Sequence, residues 1–316
     1  MLNCKVKEIN PDAPSVTLES GATFSADLII GADGIHSTVR GSVIGHNTLP
    51  LVVPTGDMAY RAVVSTEHFL ADPDLRDLVE NPRVNCWMGP LKHIIGYCIR
   101  DRKEFNLVML GPDDESTYSW TAKGDASEVK ANFGEWEPRI QKIISHIKDV
   151  LKTKLVLCAP LKTWTHGSGK VTLMGDACHP MLPYRAQGAA MAIEDGAVLG
   201  NLFSRLQSRS QIPMLVKAYE EIRYRRATDM QTGSMDNRRL FHMSDGPEQQ
   251  ARDAAMLLAM ENATKLDGHN DPSSNPTPWA DKSKNKEHFG YDADEVTERW
   301  WNMNYRSGRI QVLANL

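Results

Sequence analysis

Residues 171–195 read VTLMGDACHPMLPYRAQGAAMAIED. Val171 to Leu173 is a short apolar run that stops at Gly175-Asp176, as a buried parallel strand does when it delivers its carboxyl end to a crevice. An irregular segment containing Pro180 and Pro183 follows, and Gln187-Gly188-Ala189-Ala190 then opens a helix. Small residues at a helix start leave backbone N–H groups open to a flat ligand, and the helix dipole favours negative charge there. The competing explanation is a tight helix–sheet contact that needs small side chains; the unbroken Gly-Ala-Ala and the two prolines weigh against it. Along this helix Ala190, Ile193 and Ala197 are expected in the core.

Upstream, residues 27–40 read DLIIGADGIHSTVR and repeat the arrangement. An apolar strand ends in Gly31-Ala32-Asp33-Gly34, the glycines allow close backbone approach, and Asp33 can accept hydrogen bonds from a ribose or through water. Ser37, Thr38 and Arg40 then stand at a helix start. An ordinary strand–turn–helix with a capping serine fits this segment equally well.

Around these two segments the chain changes character. Residues 6–9 and 16–18 alternate polar and apolar on either side of Asn10-Pro11-Asp12-Ala13-Pro14, which predicts a hairpin, so the chain opens as if in the middle of a domain. Four strand-like runs, MAYRAVV, VNCWMG, HIIGYCIR and FNLVMLG, occupy about 58–111 with short connections, which predicts an antiparallel meander. Val129, Phe133 and Trp136, then Ile140, Ile143, Ile144 and Ile147, keep helical spacing across Pro138. KLVLCAP reads as a strand, Pro213 opens a long amphipathic helix, and another begins near Pro247. Residues 267–286, rich in Pro, Ser, Asn and Asp, read as a loop. The arginines from Arg223 to Arg239, interleaved with Glu220, Glu221, Asp229 and Asp236, read as a solvated helix face.

Composition excludes several functions. The 316 residues are 41% hydrophobic and 24% charged with a net charge of −4, a folded chain without the basic footprint of a nucleic-acid or anionic-membrane binder. The five cysteines form no CxxC pair, which points to free thiols in a reducing, cytoplasmic setting. No apolar run of about 18 residues offers a membrane span, and the N-terminus lacks the apolar core of a signal peptide. His179 and Cys178 find no further ligand at metal-site spacing, so no metal is expected.

Together, DLIIGADGIHSTVR and VTLMGDACHPMLPYRAQGAAMAIED resemble the second and third fingerprints of the single-component, FAD-dependent aromatic monooxygenases, nearest the fungal salicylate hydroxylase-like branch. The resemblance extends through RRATDMQTGSMDNRRLFHMSDGPEQQARD to GYDADE at 290–295. It implies an α/β fold: a Rossmann-like, three-layer FAD-binding domain, an antiparallel-sheet substrate domain and a helical C-terminal region. The corresponding segments are 1–50 and 161–265 for the FAD-binding domain with its long helices, 51–160 for the substrate domain, and 266–316 for a terminal loop and helix. Asp176 would bind the ribityl chain of FAD, Gly188 and Ala189 would face the pyrimidine edge of the flavin, and Pro180 would approach its reactive carbon. Asp33 and Gly34 would lie near the pyrophosphate and the path of the nicotinamide cofactor.

The resemblance also implies a substrate site. Phenol-hydroxylating members hold the substrate as a phenolate with an Arg and a Tyr on neighbouring strands, and the matching positions are Arg61 and Tyr97. Electrophilic oxygen transfer needs an electron-rich ring, and a fixed guanidinium lowers the cost of ionising the phenol. Both residues also fit as ordinary strand positions, with Arg61 snorkelling to water. Tyr60, Trp87 and His93 are lesser pocket candidates. The implied activity is hydroxylation of a small, phenolic aromatic with NAD(P)H and O2, in fungal secondary metabolism or aromatic catabolism.

One expected feature is missing. The family's first fingerprint, a GxGxxG turn whose helix start binds the FAD pyrophosphate, does not occur in these residues. The chain therefore reads as N-terminally truncated: a fragment of a complete monooxygenase, a non-catalytic flavoprotein-like module, or one half of a split enzyme that pairs with a separate chain. A homodimer is a further possible assembly.

Overall fold

The computed structural model describes residues 2–45, 52–113, 122–264, 276 and 281–306. The chain divides into two compact units, one of Met1–Val53, Leu157–Asn237 and Thr277–Leu316, the other of Pro54–Val156 and Arg238–Pro276. Among the described residues, no helix is long and apolar enough to cross a membrane.

The first unit opens with the expected hairpin, β1 (Val6–Asn10) and β2 (Ser15–Leu18), which β3 (Thr23–Ser25) extends to three antiparallel strands. Asn10 Oδ1 closes the turn by accepting from the N–H groups of Asp12 and Ala13, each at 3.1 Å. Strand β4 (Ile29–Gly31) leads into helix α1 (Thr38–Ile44). Much later in the sequence, β11 (Val171–Leu173) pairs with β4 in parallel, Leu173 opposite Gly31, so the two quoted segments end side by side. Gly31 is required by packing: a Cβ there would lie 2.6 Å from Cβ of Val39 and 2.9 Å from Leu173. Helices α6 (Gly188–Phe203), α7 (Ile212–Phe241), α9 (Lys282–Phe289) and α10 (Ala293–Arg306) complete this part of the chain.

Three expectations need correction here. On α6 the buried stripe is Met191, Asp195, Val198, Leu199 and Leu202, whereas Ile193 is 73% exposed and Ala197 is also exposed. The helix turns its Asp inward because buried partners await it, and that rotation carries Ile193 out. The arginines of α7 are not all solvated: Arg223 is fully buried and Arg226 is mostly so, each ion-paired with Glu194, while Arg225 alone among these three stands in solvent. The loop expected over 267–286 falls largely outside the described residues, but its end is helical, because Asp281 caps α9 through the N–H groups of Ser283 and Lys284.

The second unit is built on an antiparallel sheet of six strands in the order β6-β7-β8-β5-β10-β9. These are β5 (Val52–Ser65), β6 (Asn85–Gly89), β7 (Lys92–Ile99), β8 (Glu104–Pro112), β9 (Lys123–Gly124) and β10 (Val150–Cys158). The meander holds for β6, β7 and β8, but β5 pairs with β8 rather than β6. The 19 residues between β5 and β6 hold α2 (Glu67–Ala71) and α3 (Asp77–Glu80), and this longer connection lets the meander fold back beside β5. One sheet face buries Met58, Tyr60, Ala62, Val64, Ile94, Phe105, Leu107 and Met109 in a core shared with α4 (Ala126–Phe133) and α5 (Pro138–Ser145). Pro138 thus starts a second helix, where its missing N–H costs nothing.

In this unit α8 (Pro247–Thr264) follows Phe241 and His242. His93 Nδ1 lies 2.7 Å from His242 Nε2, and both rings are buried. Burial, aided by His242, pushes His93 down to about 3, and burial pushes His242 down to about 4 against the pull of Asp57. Both are therefore neutral in the folded protein, whereas unfolded histidines titrate near 6.5. Above about pH 6.5 the pair's contribution is complete; below it the unfolded chain takes protons that the folded chain refuses, and stability is lost progressively toward pH 3 to 4. Urea unfolding of the chain should show a level free energy from pH 7 to 8 and uptake of at least about one proton on unfolding between pH 6 and 5. A free energy that is level down to pH 5 would contradict the neutral buried pair.

Candidate functional site

In the first unit the parallel strands β4 and β11 deliver two turns to one crevice. The Gly31-to-Gly34 turn is closed by Asp33, whose carboxylate accepts from Ser37 Oγ at 2.5 Å and from the N–H groups of Thr38 at 2.7 Å and Val39 at 3.2 Å. Ser37 Oγ caps the same helix by accepting from Arg40 N–H at 2.9 Å. Asp33 is thus engaged in satisfying the first N–H groups of α1, a task for which an anion at the positive end of a helix is suited. Gly34 follows with φ +80 and no atom near the place of a Cβ, leaving the backbone bare on that side.

Arg40 joins the two turns. It is 3% exposed, and its guanidinium donates to three carbonyls: Nε to Ala177 at 2.7 Å, Nη2 to Asp176 at 2.8 Å and Nη1 to Ile35 at 2.7 Å. One side chain therefore fixes the backbone on both sides of the crevice, a role that a fork of five donors fills and an ammonium does not. The carboxyl of Asp176 remains solvent-facing. Desolvation by the surrounding protein raises its pKa, opposed by the charges of His179 and Arg40.

Beyond Asp176 the chain passes through Cys178, His179 and Pro180, all buried, to the start of α6. Two polar residues of α7 pin this segment: Gln231 Nε2 donates to the Pro180 carbonyl at 2.9 Å, and Asn237 Nδ2 donates to that of Tyr184 at 3.0 Å. Ala186 takes a left-handed conformation, φ 52, and turns the chain into the helix. At the helix N-terminus Gln187 makes no side-chain cap and the first turn carries no acidic residue. The N–H groups at Gly188 and Ala189 therefore face a position where an acceptor on a ligand is favoured.

Beneath the Asp176 turn, sequence reasoning missed Asp195. Cys178, His179 and Asp195 bring ligand atoms within 4.8 Å of one another, all buried. The carboxylate is already committed, however, to His179 at 2.6 Å and to Arg223 at 2.8 Å, and burial holds the Cys178 thiol protonated, so the set suits a hydrogen-bonded support better than a cation. Spacing alone gave no sign of it, because Asp195 lies 16 residues from His179 on a helix whose turn count decides which side faces inward.

In the second unit, Arg61 and Tyr97 are not on neighbouring strands, because β8 lies between β5 and β7. Arg61 pairs with Val108, Val108 with Ile95, and Tyr97 is two residues beyond Ile95. Both side chains thus leave the same sheet face, opposite the core, with Cα atoms roughly 12 Å apart by strand spacing and rise. His93 shares this face. Tyr60 and Trp87 point to the other: Tyr60 donates to Glu128 at 2.8 Å and Trp87 to Glu137 at 2.5 Å, so both serve the core side of the sheet.

The FAD binding domain family matches residues 7–234. The chain is 40% identical over 296 residues to the FAD-dependent monooxygenase OpS4 of Beauveria bassiana (strain ARSEF 2860), covering 93% of this chain and 67% of that protein. It is 31% identical to the 3-amino-4-hydroxybenzoate 2-monooxygenase PtmB3 of Streptomyces platensis, over 81% of this chain and 61% of that protein. The fold is also that of a salicylate hydroxylase solved as a substrate complex, with a TM-score of 0.73 at 24% identity over 94% of this chain and 69% of that one. The chain spans 60% to 67% of the length of three of the curated relatives it matches.

Proposed function

The chain belongs to the FAD-binding-domain family and its cofactor is FAD, and from that premise we propose that the whole protein is a monooxygenase that hydroxylates a small phenolic aromatic with NAD(P)H and O2. The observation that carries this is the crevice where two parallel strand ends, locked together by Arg40, meet solvent-facing Asp176 beside the open start of α6. These residues fit FAD: a carboxylate suits the hydroxyls of a ribityl chain, and free N–H groups suit the electron-rich pyrimidine edge of a flavin. Asp176 would hold the ribityl chain, Gly188 and Ala189 the pyrimidine edge, and Pro180 would border the ring, while Asp33 and Gly34 would shape the pyrophosphate side. When bound, the flavin supplies reduction by NAD(P)H and activation of O2.

The protein's own groups supply the rest. Arg61 would hold the substrate hydroxyl as its anion, because a fixed guanidinium favours the phenolate by charge-assisted hydrogen bonding, and Tyr97 would orient the ring by its hydroxyl. Their shared sheet face supports this assignment. The five free cysteines support a reducing, cytoplasmic location. Replacing Arg61 by Ala should leave FAD bound and lower kcat/KM for hydroxylation by about 10- to 100-fold, with more NAD(P)H oxidised per product formed. Product yield per NAD(P)H, measured on the flavin-loaded protein, decides it; an unchanged yield and kcat/KM would remove Arg61 from the substrate site.

A further inference from the structure

The Gly175–Asp176 turn is supported from beneath by groups that flavin contact leaves without a task. Gly175 has φ +59, and its N–H donates to Asp195 Oδ2 at 2.9 Å. The same oxygen accepts from His179 Nε2 at 2.6 Å, while Oδ1 accepts from Arg223 Nε at 2.8 Å. Asp195, His179 and Arg223 are all fully buried. One carboxylate therefore ties both limbs of the turn, Gly175 before Asp176 and His179 after it, to a guanidinium fixed on α7. Nothing in this set is free to move alone. His179 packs against Trp164 at 5.2 Å, and its Nδ1 has no hydrogen-bond partner among the described residues, so its polar bonding is directed to Asp195.

We propose that Asp195, through Gly175 and His179, is a positioning residue of the flavin site: it fixes the turn so that the Asp176 carboxylate meets the ribityl chain. This rests on the assignment of Asp176 as a flavin ligand. A buried carboxylate that only filled space would affect stability alike whether or not Asp176 were present. One that acts through Asp176 loses its effect on flavin binding once Asp176 is gone.

The test is a double-mutant cycle on the full 316-residue chain, titrating FAD and following quenching of its fluorescence, with the Tm of each variant recorded. Asp195→Asn keeps the shape and removes the charge. Asp195→Asn and Asp176→Ala should each weaken FAD binding by about tenfold or more, and the double variant should bind no more weakly than Asp176→Ala alone. Additive losses, or an unchanged Kd for Asp195→Asn beside a weakened Asp176→Ala, would overturn the positioning role and leave Asp176 standing. An unchanged Kd for Asp176→Ala would overturn the ligand assignment, and the positioning role with it. Should Asp195→Asn fail to fold, His179→Gln keeps the Asp195–Arg223 pair; the same cycle then predicts a several-fold loss that disappears in the Asp176→Ala background, and an additive loss overturns the proposal.

Discussion

Replacing Arg223 by Met is expected to lower the Tm of the unit that carries it by on the order of 10 °C. Arg223 is fully buried, and it holds Asp195 at 2.8 Å and Glu194 at 2.6 Å. Burial works against its charge, and the two carboxylates outweigh that penalty; reciprocally, burial would raise Asp195, but His179 and Arg223 hold it below the usual carboxylate range. Methionine fills similar volume and removes the cation, leaving Asp195 and Glu194 without their shared guanidinium. Removing one member of a buried pair costs about 3–5 kcal/mol, far above the ~1 kcal/mol typical of a surface pair. Exposed Arg225, two positions along the same helix, is the control: its ion pair with Asp229 is solvated, and Arg225→Met should shift Tm by no more than about 2 °C. Equal shifts for the two variants would contradict the buried network.

Substituting Ala189 by Trp is expected to abolish FAD binding while leaving the fold intact. Ala189 is exposed at the second position of α6. In a helix the Cα–Cβ bond tilts toward the N-terminus, so a large side chain there projects over the uncapped N–H groups rather than into the core. An indole occupies the place assigned to the flavin edge and covers the donors that would hold it. Because the position is solvent-facing, Tm should change by no more than about 2 °C. Loss of binding without loss of fold separates this variant from Arg223→Met, where both fail together.

The crevice was legible in the sequence because each half of it is local. Val171-to-Asp176 and Ile29-to-Gly34 each show an apolar run stopped by Gly and Asp, the pattern of a buried strand end, and the structure pairs the two strands in parallel. What supports the crevice was not legible. Arg40 reaches 136 residues along the chain to the Asp176 carbonyl, and Asp195 and Arg223 meet across 28. Such partners leave no spacing signal, and arginines among acidic residues look the same whether they are solvated, like Arg225, or buried, like Arg223. The sheet order failed for a related reason. Four consecutive strands imply a meander, but the α2–α3 connection is long enough to let β5 choose β8, which places β8 between Arg61 and Tyr97.

The central claim is that the crevice between β4, β11 and the start of α6 holds the flavin. FAD titration of the wild-type chain and of Ala189→Trp, followed by fluorescence quenching, tests it most directly. Saturable binding to the wild type, lost in an Ala189→Trp variant of unchanged Tm, is the expected result. Equal binding by both chains would place the flavin elsewhere and contradict the claim.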